Sequence, residues 1–382
     1  MKRRLETELI HGGEIRPRVL GAVNAPIFQS STYEHTGEGD YHEVRYIRLN
    51  NTPNHITLHR KLASLESGEA GLVTASGMAA ISTTFLSLLS QGDHLLAHRS
   101  LYGGTHDLVT KDLPSFGIES TFVDACDRST WERALRPKTR AFYIESMTNP
   151  TLEVADFPAI VEFCRAHKLV SIIDNTCASP VNFRPIELGI DIVVHSATKY
   201  LNGHSDIVAG AVIGSAAHVD AIKRRLDHLG GTLDPHACFL LHRGLKTLAL
   251  RVRHQNESAL KIAHFLEQHP AVARVFYPGL ESHSGYERAR KWFQGCAGLL
   301  SFELKGGVPA ATRFFERAEL PAVAPSLGGP ETLVTRPALT SHAGIGPEGR
   351  AKQGISEGLI RVSIGLEATE DLIDDFGRAL AE

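Results

Sequence analysis

His195-Ser-Ala-Thr-Lys-Tyr200 sets one lysine among hydroxyl side chains, and Leu169-Val-Ser-Ile-Ile-Asp-Asn175 is a short apolar run that closes on an acid, Asp174. An apolar run without alternation is a strand covered on both faces, the kind found in the middle of a parallel sheet. An acid at the end of such a strand costs free energy unless something pairs with it. Outward from these two stretches, short apolar runs alternate with helical patterns between Ala70 and Ser215. The runs cover 71–75, 94–98, 119–123, 140–144, 170–174, 191–195 and 208–213. Seven strands separated by helices predict an α/β fold on a mostly parallel seven-stranded sheet with right-handed crossovers.

Residues 1–60 are rich in turn formers and read as an irregular arm that needs another surface to order it. Past Gly230-Gly231, a helical segment over 236–268 leads into a smaller α+β unit with strands at 299–304 and 359–366. Thr369 reads as the cap of a closing amphipathic helix, 369–381, with Glu370 and Asp371 in its first turn. The chain's 382 residues exceed the roughly 250–300 at which one core stops growing. The expected division is an arm at 1–60, a large domain at 61–235 and a C-terminal domain at 236–382.

Forty Lys and Arg against forty-three Asp and Glu leave a net charge of -3, which offers nothing to nucleic acid or to an anionic membrane. The hydrophobic fraction, 42%, is ordinary for a soluble globular chain. The start, Met1-Lys-Arg-Arg-Leu-Glu-Thr-Glu8, is basic but lacks an apolar run and a small-residue cleavage site. No segment approaches the roughly eighteen uninterrupted apolar residues of a membrane span, so the expected location is cytoplasmic. The five cysteines, Cys126, Cys164, Cys177, Cys238 and Cys296, are scattered and odd in number, which argues against a disulfide framework and a zinc knuckle. His55 and His59 share a helix face, but Ile56 stands where a zinc protease has its glutamate, and no metal is expected.

Chemistry concentrates at the strand exits. A lysine amine that attacks a carbonyl, and a buried acid that keeps a pyridine nitrogen protonated, are the pair pyridoxal 5'-phosphate requires, and Lys199 and Asp174 fill those places. Ser196-Ala-Thr-Lys199 also matches the Ser-x-x-Lys of acyl-enzymes, but the partner motifs are missing: Ser205-Asp206 is followed by Ile207, and Lys246-Thr247 by Leu248. Ser76-Gly77-Met78 opens a helix after the first strand, and its free N–H groups, with the hydroxyls of Ser196 and Thr198, suit a phosphate. Tyr102-Gly-Gly-Thr105 starts the helix after the second strand and offers an aromatic face for a pyridine ring. Asn149, in Asn149-Pro150, offers an amide to a cofactor oxygen at the sheet's carboxyl edge.

With these motifs in order, the chain resembles the Cys/Met-metabolism family of pyridoxal-phosphate enzymes, which includes cystathionine γ-synthase, cystathionine γ- and β-lyases, methionine γ-lyase and the homoserine sulfhydrylases. The likeness runs nearly end to end. It includes Leu9-Ile-His-Gly-Gly13, Arg243-Gly-Leu-Lys-Thr-Leu248, Tyr277-Pro-Gly-Leu280 and Ser326-Leu-Gly-Gly329 besides the stretches above. The resemblance implies an aspartate-aminotransferase-like fold, fold type I. It implies that Lys199 holds the cofactor covalently, Asp174 pairs with its ring nitrogen and Tyr102 stacks on the ring. Gly77, Met78, Ser196 and Thr198 would bind the phosphate. Arg361 would grip the substrate α-carboxylate in a bidentate pair, with Asn149 and Ser326 completing the substrate side. Tyr46 and Arg48 match a Tyr-x-Arg that reaches the cofactor phosphate of a neighbouring subunit. The catalytic unit implied is a dimer with shared sites, two of which pair into a homotetramer.

Departures from the pattern touch the substrate end. The order Asn51-Thr52-Pro53-Asn54 differs from the family's Asn-Pro-Thr and moves the rigid φ of proline. Asp107 stands where members that use cystathionine or succinylhomoserine carry arginine, and Pro325 where many γ-acting members have glutamate. Lys199 is expected to move the α-proton, and the Tyr102 phenol to act as acid or base where its neighbours lower its pKa. The activity implied is a lyase of sulfur amino acids acting by γ-elimination, with γ-replacement or β-elimination as the alternatives.

Overall fold

The computed structural model describes residues 3–35, 37, 41 and 44–381; Met1 and Lys2 of the basic start lie outside them. Seven strands form one sheet: β1 (Ala70–Thr74), β2 (His94–His98), β3 (Glu119–Val123), β4 (Thr139–Glu145), β5 (Val170–Asp174), β6 (Ile192–His195) and β7 (Gly210–Gly214). Their order is β1-β7-β6-β5-β4-β2-β3. Only β7 runs against its neighbours, β1 and β6. The other contacts, β2 with β3, β2 with β4, β4 with β5 and β5 with β6, are parallel.

The unalternating strands have the expected cause. Successive residues turn to opposite faces, and each face meets its own apolar layer: Tyr143, Ile172 and Val194 belong to one, Phe142, Ile173 and Val193 to the other. All six are fully buried. Cutting Phe142 to alanine would cost about 3–5 kcal/mol, transfer and cavity together.

A second sheet holds β8 (Val272–Phe276), β9 (Leu299–Leu304), β10 (Ala322–Val323), β11 (Leu333–Thr335) and β12 (Ile360–Ser363), in the order β10-β11-β12-β9-β8. The sequence predicts β9 and a longer version of β12 but misses the other three. β10 is two exposed residues, β11 is three residues long, and β8 has two adjacent exposed positions in its middle.

Three expectations are corrected. The segment 236–268 is two helices, Pro235–Leu245 and Leu248–Gln268, parted at Thr247 (φ -109°, ψ 5°). Gly244 packs so closely on the Lys199 loop that a Cβ would lie 2.2 Å from the Asn202 carbonyl oxygen. The Arg251 guanidinium fastens the same junction, donating to the carbonyls of Tyr200 and Gly244 at 2.9 Å each. The closing helix, Thr369–Leu380, has Ala368 at its N-cap and no side-chain cap; the Thr369 hydroxyl is turned inward to Ser258 at 2.7 Å. The arm is not wholly irregular, since it contains the helix Leu5–His11 and the start of Pro53–Glu66, where Pro53 takes the first helical position. Buried Lys61 ties the arm down by donating to the Leu9 carbonyl at 2.8 Å.

Candidate active site

Parallel strands deliver their carboxyl ends to one edge of a sheet. Glu145, Asp174 and His195 therefore stand side by side, with Glu145 in register with Asp174 and Asp174 with Val194. Asp174 accepts from the Thr176 N–H at 2.9 Å and from the Tyr143 hydroxyl at 3.4 Å. Burial raises its pKa, while the Thr176 donors and the charge of His195 work the other way. Tyr143, buried beside Asp174 and Glu145, has its pKa pushed far up and stays a phenol that can donate.

The loop after β6 carries Ser196, Thr198 and Lys199. Lys199 Nζ donates to the Ser326 hydroxyl at 2.7 Å. Burial, and then the nearby Arg361 guanidinium, push its pKa down to about 8, so far more of the amine is free base at neutral pH than in a solvated lysine. Ser326 has φ 90°, a conformation that costs a non-glycine residue about 1–3 kcal/mol. That backbone aims its hydroxyl at Lys199 and its carbonyl at Arg361, whose Nη2 donates to it at 2.7 Å.

Arg361 sits on β12, between Ser301 of β9 and Thr335 of β11. It is 4% exposed, and burial pulls its pKa down to about 10, which leaves it charged at neutral pH. Nη1 donates to Asn149 Oδ1 at 3.2 Å, and the buried Nε has no partner. A buried, unpaired guanidinium N–H is what an incoming carboxylate can satisfy.

Gly77 begins the helix Gly77–Leu88, capped by the Ser76 hydroxyl, which accepts from the Ala79 N–H at 3.0 Å. A Cβ on Gly77 would lie 2.8 Å from Ser196 Cβ, so glycine lets the helix end close on the Ser196 loop and form an anion pocket. The Thr198 hydroxyl accepts from the Ala209 N–H at 2.9 Å and donates to the Ala209 carbonyl at 3.2 Å, so it must turn its proton away from that carbonyl to donate to a phosphate. Tyr102 and Met78 each approach Gly104, where a Cβ would lie 2.7 Å from Tyr102 Cε1 and 3.2 Å from Met78 Sδ. Amine, acid, anion-binding helix end and unpaired guanidinium fit pyridoxal phosphate carrying an amino acid.

Two predicted residues stand apart. Arg48 Nη1 donates to the Asp227 carbonyl at 2.6 Å and Nη2 to the Tyr41 hydroxyl, while Tyr46 bridges to Thr32. None of these contacts reaches the Lys199 cluster. Arg48 is thus not idle within its own chain: it ties the arm to the helix Ala216–Leu229. Asp107, its side chain 41% exposed, pairs with Lys111 at 2.9 Å. Pro325 lines a cleft of about 570 Å³ together with Thr198, Asp206, Ser326 and Glu331.

Sequence reasoning missed Glu145, Tyr143 and His342 as members of the site. Glu145 Oε1 accepts from the Tyr102 N–H at 2.7 Å. His342 is fully buried, and burial, followed by the charge of Arg361, pushes its pKa down to about 4, so it is a neutral imidazole. Only Glu145, an acid closing an apolar strand as Asp174 does, carried a signal in the sequence.

The fold and the site define an enzyme that works on amino acids through pyridoxal phosphate. Residues 6–381 match the model of the Cys/Met metabolism PLP-dependent enzymes, and the chain belongs to that family. Cystathionine γ-lyase of Bacillus subtilis (strain 168) is 43% identical over 376 residues, 98% of each chain. Cystathionine β-lyase MetC of the same strain is 41% identical over 379 residues, 99% of this chain and 96% of its own. The structure of cystathionine γ-synthase from Xanthomonas oryzae pv. oryzae, in complex with aminoacrylate and cysteine, aligns with TM-score 0.96 at 35% identity, covering 100% of this chain and 98% of that one. The protein is a PLP-dependent carbon–sulfur lyase or γ-replacement enzyme of fold type I.

Proposed function

We propose that the enzyme is a γ-eliminating lyase of a sulfur amino acid, releasing a thiol, a 2-oxo acid and ammonia. The reading is supported by the 43% identity to a cystathionine γ-lyase over 98% of both chains; a cystathionine β-lyase of Lactococcus lactis subsp. cremoris is equally similar, 43% over 377 residues, and the product released is what separates the two. In it, Arg361 grips the substrate α-carboxylate through the Nε that has no partner, with Asn149 and Ser326 beside it. Bound pyridoxal phosphate supplies the electron sink for charge left at Cα. Lys199 would hold it until the substrate amine takes that place, with Asp174 at the ring nitrogen, Tyr102 over the ring, and Gly77, Met78, Ser196 and Thr198 at the phosphate. The Lys199 amine, freed when the substrate amine takes its place, removes the Cα proton and then one from Cβ, the Tyr102 phenol protonates the departing γ-sulfur, and Lys199 returns a proton to Cγ. Water then supplies the oxygen of the 2-oxo acid as ammonia is released.

Tyr46 and Arg48 complete this reading from a second subunit, in a dimer that pairs into a homotetramer. Among the described residues no helix is long and apolar enough to cross a membrane, and we assign the enzyme to the cytoplasm. The division into an arm at 1–60 and domains at 61–235 and 236–382 belongs to the same proposal.

Cystathionine tests the position of cleavage. γ-Elimination gives cysteine and 2-oxobutanoate, whereas β-elimination gives homocysteine and pyruvate; pyruvate as the dominant product rejects the proposal. The likeness to a γ-synthase favours γ-replacement as a second reading. A thioether formed from an O-acylhomoserine and added thiol, in place of 2-oxo acid, would establish it.

A further inference from the structure

We infer that Glu145 is a positioning residue, which hangs Tyr102 from the end of β4 and so sets the angle of its ring. The inference rests on the proposed stacking of Tyr102 on the cofactor. Glu145 is 5% exposed and closes β4, and its Oε1 accepts from the Tyr102 backbone N–H at 2.7 Å, across 43 positions of sequence. Tyr102 is the N-cap residue of the helix Gly103–Asp107 and makes no side-chain cap of its own. The bond from Glu145 therefore fixes the backbone from which the ring projects. Tyr102 is 44% exposed, and its ring edge lies against Gly104.

Glu145 also stands in register beside Asp174. Burial first, and then the charge of Asp174, raise the Glu145 pKa well above the usual carboxylate range. Two neighbouring buried carboxyls do not both ionise. Asp174 has the Thr176 donors and His195 on its side, so it takes the charge and Glu145 keeps the proton. The positioning role then needs only a neutral acceptor of the right length.

Cofactor affinity is the readout, measured as the dissociation constant of pyridoxal phosphate by equilibrium dialysis of the purified protein, with a thermal melt of each variant beside it. Glu145→Ala and Glu145→Asp, the second of which keeps the acid but shortens its reach, should each bind about tenfold more weakly, the scale of one lost hydrogen bond. Glu145→Gln, which keeps the acceptor and no charge, should stay within about twofold of the native protein. Glu145→Ala added to Tyr102→Ala should weaken binding no further than Tyr102→Ala does alone, because the two residues act through one contact. Additive losses, or a Glu145→Gln as weak as Glu145→Asp, overturn the inference. If Tyr102→Ala loses affinity and neither Glu145→Ala nor Glu145→Asp does, the positioning role alone fails. A Tyr102→Ala with native affinity removes the stacking assignment, and the inference falls with it.

Discussion

Lys199 and Ser326 lie 127 positions apart and meet at 2.7 Å, amine to hydroxyl. The contact joins the loop after β6 to the segment between β10 and β11, so the amine is held from both sheets. Arg361, bonded to the carbonyl of the same serine, lies near enough to lower the amine's proton affinity.

Lys199 is predicted to be the residue that holds the cofactor. The native protein should be yellow, and borohydride should fix the cofactor to Lys199, as peptide mapping would show. Lys199→Ala should abolish turnover while leaving the fold intact. A label on another lysine would remove the centre of the reading.

A pH profile follows from the lowered pKa of Lys199. Its free-base fraction grows as pH rises through about 8, where a solvated lysine is still charged. Recombination of the cofactor-free protein with pyridoxal phosphate should therefore accelerate with pH around a midpoint near 8. Arg361→Met removes the second cause of the depression and should move that midpoint upwards; an unchanged midpoint would show that burial alone lowers it.

Gly77→Ala should weaken cofactor binding with little loss of thermal stability. The added methyl meets the Ser196 side chain at 2.8 Å, inside contact distance, and pushes the helix end away from the anion pocket. One charge-assisted bond lost there is worth about 1.5–3 kcal/mol, at least a tenfold loss of affinity. Dialysis of the variant against free cofactor would measure it, and native affinity would place the phosphate elsewhere.

Mixed oligomers test the shared site. Arg48→Ala subunits combined with Lys199→Ala subunits should regain activity at one of the two sites of each dimer, although neither parent is active. Recovery requires the partner's Arg48 to leave its own Asp227 carbonyl, where it donates at 2.6 Å. No recovery would confine each site to one chain.

Substrate choice is expected to disfavour a distal carboxylate. A misplaced like charge costs about 4 kcal/mol at about 4 Å near a protein surface, and less at a side chain as exposed as Asp107 with Lys111 beside it. Comparing kcat/KM for methionine, homocysteine, O-acetylhomoserine, O-succinylhomoserine and cystathionine should place O-succinylhomoserine below the best. Asp107→Arg should raise it. O-succinylhomoserine ranking first in the native enzyme would contradict the role given to Asp107 and Pro325.

The inner strands of the large sheet were legible because both of their faces are buried, which writes an apolar run into each one, whereas the edge strand β3 is half-exposed. β8, β10 and β11 were not, because short or half-exposed strands leave no such pattern. Thr369 looked like a helix cap by residue type, yet Ser258 of a distant helix claims its hydroxyl. The break at Thr247 depends on how closely Gly244 packs against the Lys199 loop, which no helical periodicity reveals.

By itself the sequence determined the family, the parallel sheet, and the lysine and acid at its carboxyl edge. These follow from local motifs and from the two-residue period of a strand. Tertiary structure alone decided that Arg361 reaches Asn149 across 212 positions, that Glu145 holds the Tyr102 backbone, and that Arg48 turns to Asp227 within its own chain. The physical reason is that such contacts depend on the register between separately formed sheets and helices. Register is set by how their buried faces pack, not by any one segment's composition.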